Sequence, residues 1–163
     1  MTVTTARRPW EPRLAFDAEA PGFMKAMSDL DRAAGRQAEQ AGLPAALRDL
    51  VRLRVSQVNG CAYCVDMHAK DLRAAGVAQE RLDALVVWQE APFFSDEERA
   101  ALALAEAITT CAVGHVPDDV HSAAAEVLSP AQLAAVVALT VAINAWNHIG
   151  VATRAWLPGS YTR

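Results

Sequence analysis

At 163 residues, 53% of them apolar and with a formal charge of −4, the chain is long enough for one domain with a real core and too apolar for a disordered segment. It has no run of Lys or Arg, so neither nucleic acid nor a membrane is expected as a partner. Its three cysteines are too few for a disulfide-stapled secreted fold, and a cytoplasmic setting is expected, where a close cysteine pair points to metal binding or redox chemistry.

In chain order, Met1 to Pro12 carries Arg7 and Arg8 with no apolar run behind them and does not read as a signal peptide. Residues 1–20 read as an N-terminal extension and 21–163 as a single helical domain. Pro21 suits the first turn of a helix whose stripe is Phe23, Met27, Leu30 and Ala34. Gly42-Leu43-Pro44 breaks it, and a second helix follows with Leu47, Leu50, Val51, Val55 and Val58 on one face. Asn59-Gly60 interrupts again, and a third helix runs to about Ala75, with Gly76 as its C-cap.

A fourth helix is expected over about Gln79 to Glu90. A fifth is capped by Ser95, with Asp96, Glu97 and Glu98 at the positive end of its dipole, and runs to the break at Gly114–Pro117. A sixth covers about Asp118 to Leu128. Ser129-Pro130 starts a seventh that runs to about Ala155. From Leu133 to Trp146 that last helix is apolar almost all round. Gln132, Thr140, Asn144, Asn147 and His148 interrupt it, so it reads as a core or subunit-interface helix rather than a membrane span. No segment alternates with period two, and the fold class expected is all-α, with about six to seven helices.

The chemistry concentrates in Cys61-Ala62-Tyr63-Cys64-Val65-Asp66-Met67-His68. On a helix, steps of three and four residues place Cys61, Cys64 and His68 on one face. Cys61 follows the break and falls in the first turn, where free N–H groups and the macrodipole stabilise a thiolate. A free thiol is only about 3% ionised at pH 7, whereas a pKa near 7 gives about half. Cys64 has His68 four residues on, within reach as a base. If the chain reverses at Asn59-Gly60, Asp49 comes within a turn of His68, and a carboxylate there would orient the imidazole and favour its protonated form. Without that reversal Asp49 would be about 18 Å from Cys61.

Zinc is a rival use of Cys61, Cys64, His68 and Asp49. Three ligands from one helix face make tetrahedral closure awkward, however, and there is no second cysteine pair. Cys111 reads as a core residue and His148 as a buried histidine; His115 and His121 carry no assigned role. Tyr63 reads as packing or pocket wall, and Phe93 and Phe94 as pocket wall or subunit packing.

The stretch Leu47-Arg48-Asp49-Leu50-Val51-Arg52-Leu53-Arg54-Val55-Ser56-Gln57-Val58-Asn59-Gly60 followed by those eight residues resembles the core of the AhpD-like alkylhydroperoxidases of the carboxymuconolactone decarboxylase superfamily. The similarity extends past Trp88-Gln89-Glu90-Ala91-Pro92-Phe93-Phe94 to Asn144-Ala145-Trp146-Asn147. The resemblance implies an AhpD-like helical domain with the CxxC at the N-terminus of a central helix, assembled as a homotrimer or homohexamer. It also implies reduction of an alkyl or hydrogen peroxide without metal or other cofactor.

By the same resemblance Cys64 attacks peroxide and Cys61 resolves the sulfenic acid as a disulfide. His68 is the proton-relay histidine, Asp49 the relay acid, and a dithiol such as a lipoylated or thioredoxin-like protein the reductant. Two positions depart from the pattern: the relay acid is typically Glu, one methylene longer than Asp49, and Tyr63 stands where the best-studied branch has His. Helix-end physics favours Cys61 as the attacking thiolate, while His68 and the resemblance favour Cys64, which is taken here. The alternatives are a disulfide carrier with little peroxidase turnover, or a cofactor-free decarboxylase-like enzyme of the same superfamily.

Overall fold

The computed structural model describes residues 10–163, so Arg7, Arg8 and the first part of the expected N-terminal extension lie outside the described residues. Among the described residues the chain forms nine α-helices, one 3-10 turn and no strand. Seven of the nine are the helices that the apolar periodicity predicts. The other two, α1 (Phe16–Glu19) and α7 (Cys111–Gly114), are single turns too short for any period to mark.

Helix α2 (Pro21–Gln40) starts on Pro21, buries Met27, Ala34 and Ala38, and packs on α9 (Pro130–Thr153). Phe23 and Leu30, expected on that stripe, are 55% and 43% exposed. The small Ala34 and Ala38 carry the close contact, and Phe23 meets Phe16 of α1 edge to face at 5.9 Å. Helix α3 (Ala45–Val58) is buried on several sides, because α4 (Ala62–Ala74), α6 (Asp96–Thr109) and α9 all pack on it.

The reversal at Asn59-Gly60 is a Schellman turn. Cys61 N–H donates to Ser56 O at 3.0 Å and Gly60 N–H to Gln57 O at 3.2 Å, with Gly60 at φ +67°, where a side chain would be strained. It folds α4 (Ala62–Ala74) back along α3, and Gly76 at φ +83° ends α4 in the same way.

Helix α5 (Gln79–Ala84) stops sooner than predicted and passes into a 3-10 turn, Leu85–Val87. The guanidinium of Arg99 donates to the carbonyls of Gln89, Ala91 and Phe94 and fixes the irregular segment that follows the turn. Helix α6 (Asp96–Thr109) opens on a capping box: Ser95 Oγ accepts from Glu98 N–H, and Ser95 N–H donates to Glu98 Oε2 at 2.9 Å. It ends at Thr110 rather than at Gly114, and α7 is a separate turn. Cys111 therefore lies exposed outside the core, contrary to expectation.

After α8 (Asp118–Val127), a second capping box, Ser129 with Gln132, starts α9 (Pro130–Thr153). Helix α9 is long and apolar enough to cross a membrane, but it packs here against α2, α3 and α6 with Thr140 and Asn147 buried on its inner face. His148 was expected to be buried. One residue beyond the inward Asn147 turns it about 100° away, and it is exposed.

Two apolar clusters share α3. Leu47, Val51, Leu104, Val136, Leu139 and Ile143 fill the space among α3, α6 and α9. Leu50, Leu53, Leu72, Leu85 and Leu102 fill the space under α4 and the 3-10 turn. The CxxC pair thus starts a helix braced against a doubly packed one.

Candidate active site

Cys61 is the N-cap of α4, in extended backbone, and Cys64 sits one turn in. Their sulfurs are 2.6 Å apart, both side chains are free thiols, and each residue is 2% exposed. Two thiolates on one tetrahedral zinc with bonds of about 2.3 Å would stand about 3.8 Å apart. This pair is closer than that, and among the described residues no group of three or more His, Cys, Asp or Glu is arranged to hold a metal ion.

The two thiols shift in opposite directions. Cys61 is lowered to about 7, first by the hydrogen bond from Cys64, then by backbone N–H groups of the first turn and the Asn147 amide, against the cost of burial. Cys64 moves strongly upward because it supplies that hydrogen bond, is buried, and faces the Cys61 charge. The resting charge therefore sits on Cys61, as its place at the helix end predicts.

His68 lies on the same face of α4, 6% exposed. Neither ring nitrogen has a hydrogen-bond partner, so His68 does not hydrogen-bond Cys64 directly. Asp49 Oδ1 is 3.9 Å from His68 Nδ1, which confirms that the reversal brings α3 and α4 together here. The gap is too long for a hydrogen bond. Arg52 takes the carboxylate instead: its Nη1 is 3.2 Å from Asp49 Oδ1, and its Nη2 is 3.5 Å from Asp31 Oδ1.

The expectation that Asp49 favours a protonated imidazole is overturned. Burial and the nearby Arg52 charge lower His68 to about 3, so the ring is neutral near pH 7. Asp49 itself moves upward, because its burial outweighs the pull of Arg52.

Cys64, His68 and Asp49 line a cavity of about 460 Å³ with Arg52, Met24, Met67, Tyr63, Trp146 and Trp156 among its walls. Trp156 packs between Tyr63, tilted with ring centroids 5.6 Å apart, and Trp146, edge to face at 5.8 Å. Below the thiols, Asn59 Nδ2 donates to Asn144 Oδ1 at 2.7 Å and Asn147 Oδ1 at 3.0 Å, and Asn147 Nδ2 donates to Ser56 Oγ at 3.1 Å. This network ties the turn before Cys61 to α9.

Sequence reasoning left Arg52 and Trp156 out of the site. Arg52 had a signal, three residues after Asp49 on one helix face. Trp156 follows the left-handed Arg154 that ends α9, and no periodicity places a residue beyond such a stop.

The site has relatives. Residues 21–107 match the model of the carboxymuconolactone decarboxylase family. YdfG of Bacillus subtilis (strain 168), itself uncharacterised, is 37% identical over 140 residues, 86% of this chain and 92% of that protein. The crystal structure of ATU0492 from Agrobacterium tumefaciens, a protein of unknown function provisionally assigned to AhpD-type antioxidant defence, superposes with a TM-score of 0.83 at 32% identity, over 91% of this chain and 99% of that one. The debrominase Bmp8 shares the fold at a TM-score of 0.74 and 20% identity, over 87% of this chain and 74% of its own. By the family match and by these whole-chain similarities, the chain belongs to the carboxymuconolactone decarboxylase family and is AhpD-like within it.

Proposed function

We propose that the protein is a thiol-dependent peroxidase that reduces organic hydroperoxides through the Cys61–Cys64 pair. The observation that carries this reading is a pair of buried thiols 2.6 Å apart beside an unpartnered His68, with Cys64 and His68 on one cavity. A neutral imidazole offers one N–H donor and one acceptor nitrogen, and a hydroperoxide supplies the matching acceptor and O–H donor. Buried polar atoms without partners cost about 1–3 kcal/mol each, which a bound hydroperoxide would relieve.

In the proposed cycle Cys64 passes its proton to the Cys61 thiolate and attacks the distal peroxide oxygen. The O–O bond breaks, and the leaving oxygen recovers that proton, with His68 positioned to pass it, and departs as the alcohol. Cys61, again a thiolate, attacks the Cys64 sulfenic sulfur. The disulfide forms, and hydroxide leaves and takes a proton from solvent. A dithiol, from a lipoylated or thioredoxin-like protein, then reduces the disulfide. Asp49 and Arg52 hold the wall beside His68.

The remaining parts of the reading are a cytoplasmic setting, residues 1–20 as an extension to one domain, and assembly as a homotrimer or homohexamer covering such exposed apolar side chains as Phe23 and Leu30. The test is peroxide-dependent oxidation of a dithiol. It should vanish in Cys61→Ser and in Cys64→Ser, and a sulfenic acid should be trapped on Cys64 in Cys61→Ser. Retained activity in both mutants refutes the reading. Fast disulfide exchange without peroxide turnover would make the protein a disulfide carrier. Sedimentation velocity tests the assembly, and a monomer at micromolar concentration would contradict it.

A further inference from the structure

The two cysteines line different cavities. Cys64 lines the 460 Å³ cavity, and Cys61 a second one of about 220 Å³ with Trp10, Arg13, Gly150, Arg154 and Trp156. Tyr63 and Trp156 line both, so they and the sulfur pair form the partition.

Among the described residues, the second cavity has two guanidinium groups and no carboxylate in its lining. Arg13 is fixed at the end of α9, its backbone N–H donating to Thr153 O at 2.8 Å and its Nη1 to Val151 O at 3.3 Å. Arg154 lies over the Trp10 ring, 5.5 Å from its centroid. Among the described residues neither arginine makes an ion pair. By contrast, the larger cavity has Asp31, Asp49 and Asp71 in its wall.

We propose that this second cavity admits the reductant, a slender thiol carrying an anionic group, whose sulfur attacks Cys61. The proposal rests on the disulfide cycle above. Three features lead to it. In-line displacement needs the attacker on the far side of Cys61 from Cys64, and Cys61 is the sulfur that lines this cavity. The volume is below the roughly 300–1,000 Å³ of sites for drug-sized ligands, so a narrow molecule or arm fits. Gly150 keeps the approach open: a Cβ there would lie 3.1 Å from Cys61 Sγ and 3.3 Å from the Trp156 ring.

The step balances. The thiolate forms a bond to Cys61 sulfur, the Cys61–Cys64 bond breaks, and Cys64 leaves as the thiolate. A second thiolate attacks the mixed disulfide at the reductant's sulfur, a reductant disulfide forms, and Cys61 leaves as the thiolate its helix end favours. Two electrons pass from two reductant thiols to the pair.

The experiment uses the whole protein, oxidised with the azo oxidant diamide so that no peroxide is involved. Reduction is followed with 3-mercaptopropionate, 2-mercaptoethanol and cysteamine, which differ chiefly in terminal charge, at equal thiolate concentration. The anion should react about tenfold faster than the cation at low salt, and the ratio should fall towards one at about 1 M salt. The same ratio, which a general folding defect does not move, should collapse in Arg154→Gln and return in Arg154→Lys. After acid quench and alkylation, mass spectrometry should find the mixed disulfide on Cys61 and the alkyl group on Cys64. No charge order, or a mixed disulfide on Cys64, overturns the proposal, and failure of diamide to close the pair overturns it together with the cycle. A disulfide that diamide forms and peroxide does not would refute the peroxidase reading alone and leave the thiol series to decide the reductant site.

Discussion

Asp49 and His68 face each other across 3.9 Å without a hydrogen bond, because Arg52 holds the Asp49 carboxylate from three residues along the same helix. Acid, base and guanidinium therefore form one electrostatic unit, in which the imidazole stays neutral and the carboxylate serves the arginine.

That arrangement predicts how His68 titrates. Burial and Arg52 both lower it, to about 3. Its ring resonances followed by NMR should stay those of a neutral imidazole from pH 8 down to pH 5. In Arg52→Gln one cationic contribution is lost and Asp49 is free to turn to the ring, so the His68 pKa should rise by about one unit or more. A wild-type midpoint near 6.5 would contradict the assignment.

The same shift sets a pH dependence of stability. The unfolded chain protonates His68 as pH falls through its ordinary 6.5, while the folded chain does not until about 3. The unfolded state thus binds more protons between these values, and stability falls with pH across that window. At pH 5 the loss from this one group is about 2 kcal/mol relative to pH 7.5. Asp49, shifted upward, acts with the opposite sign. Denaturant unfolding of wild type and His68→Gln at both pH values isolates the histidine, and the stability difference between the two proteins should shift by about that amount. Parallel pH profiles would refute it.

Much of this was readable in the chain. Seven of the helices follow from apolar spacing, though α5 is shorter than that spacing suggests, and the α3–α4 reversal follows from Asn59-Gly60, where one residue must take positive φ. That reversal also brings Asp49 to His68. The protonation state of His68 was not readable, because it depends on the depth of burial and on which partner wins Asp49. The polar residues that interrupt α9 marked it as a core helix, but not that Asn147 and Asn144 would be tied to the turn before Cys61. Phe23, Leu30 and Cys111 show the same limit, since a stripe gives the face of a helix and not how far its neighbours extend.

The Cys61 thiolate depends on its neighbours. Alkylation by iodoacetamide, mapped by mass spectrometry, should rise with pH about a midpoint near 7 at Cys61, with Cys64 labelled far more slowly. Cys64→Ala removes the largest stabilising contact and should move that midpoint up by about a unit or more. Asn147→Ala should move it up by less, and should also cost about 1–3 kcal/mol of stability, because Asn59 and Ser56 lose a partner. A Cys61 midpoint near 8.5 in wild type would mean that the helix end and the Cys64 hydrogen bond do not act as described.

The shape of the larger cavity predicts substrate preference within the proposed peroxidase reaction. Its walls include Met24, Met67, Tyr63, Trp146 and Trp156, and about 460 Å³ is many times the roughly 30 Å³ share of a water-sized molecule. Hydrogen peroxide gains little from such walls, whereas an uncharged aromatic hydroperoxide buries its ring against them at about 25 cal/mol per Å². The kcat/KM for cumene hydroperoxide should exceed that for hydrogen peroxide by tenfold or more. Met24→Trp narrows the cavity from the α2 side without touching the thiols. It should lower the cumene hydroperoxide value about tenfold, or about 1.4 kcal/mol, and change the hydrogen peroxide value less than about threefold. Equal losses on both substrates would show that the substitution damaged the thiol pair rather than the binding wall. Equal rates in wild type would show that the wall does not select the substrate.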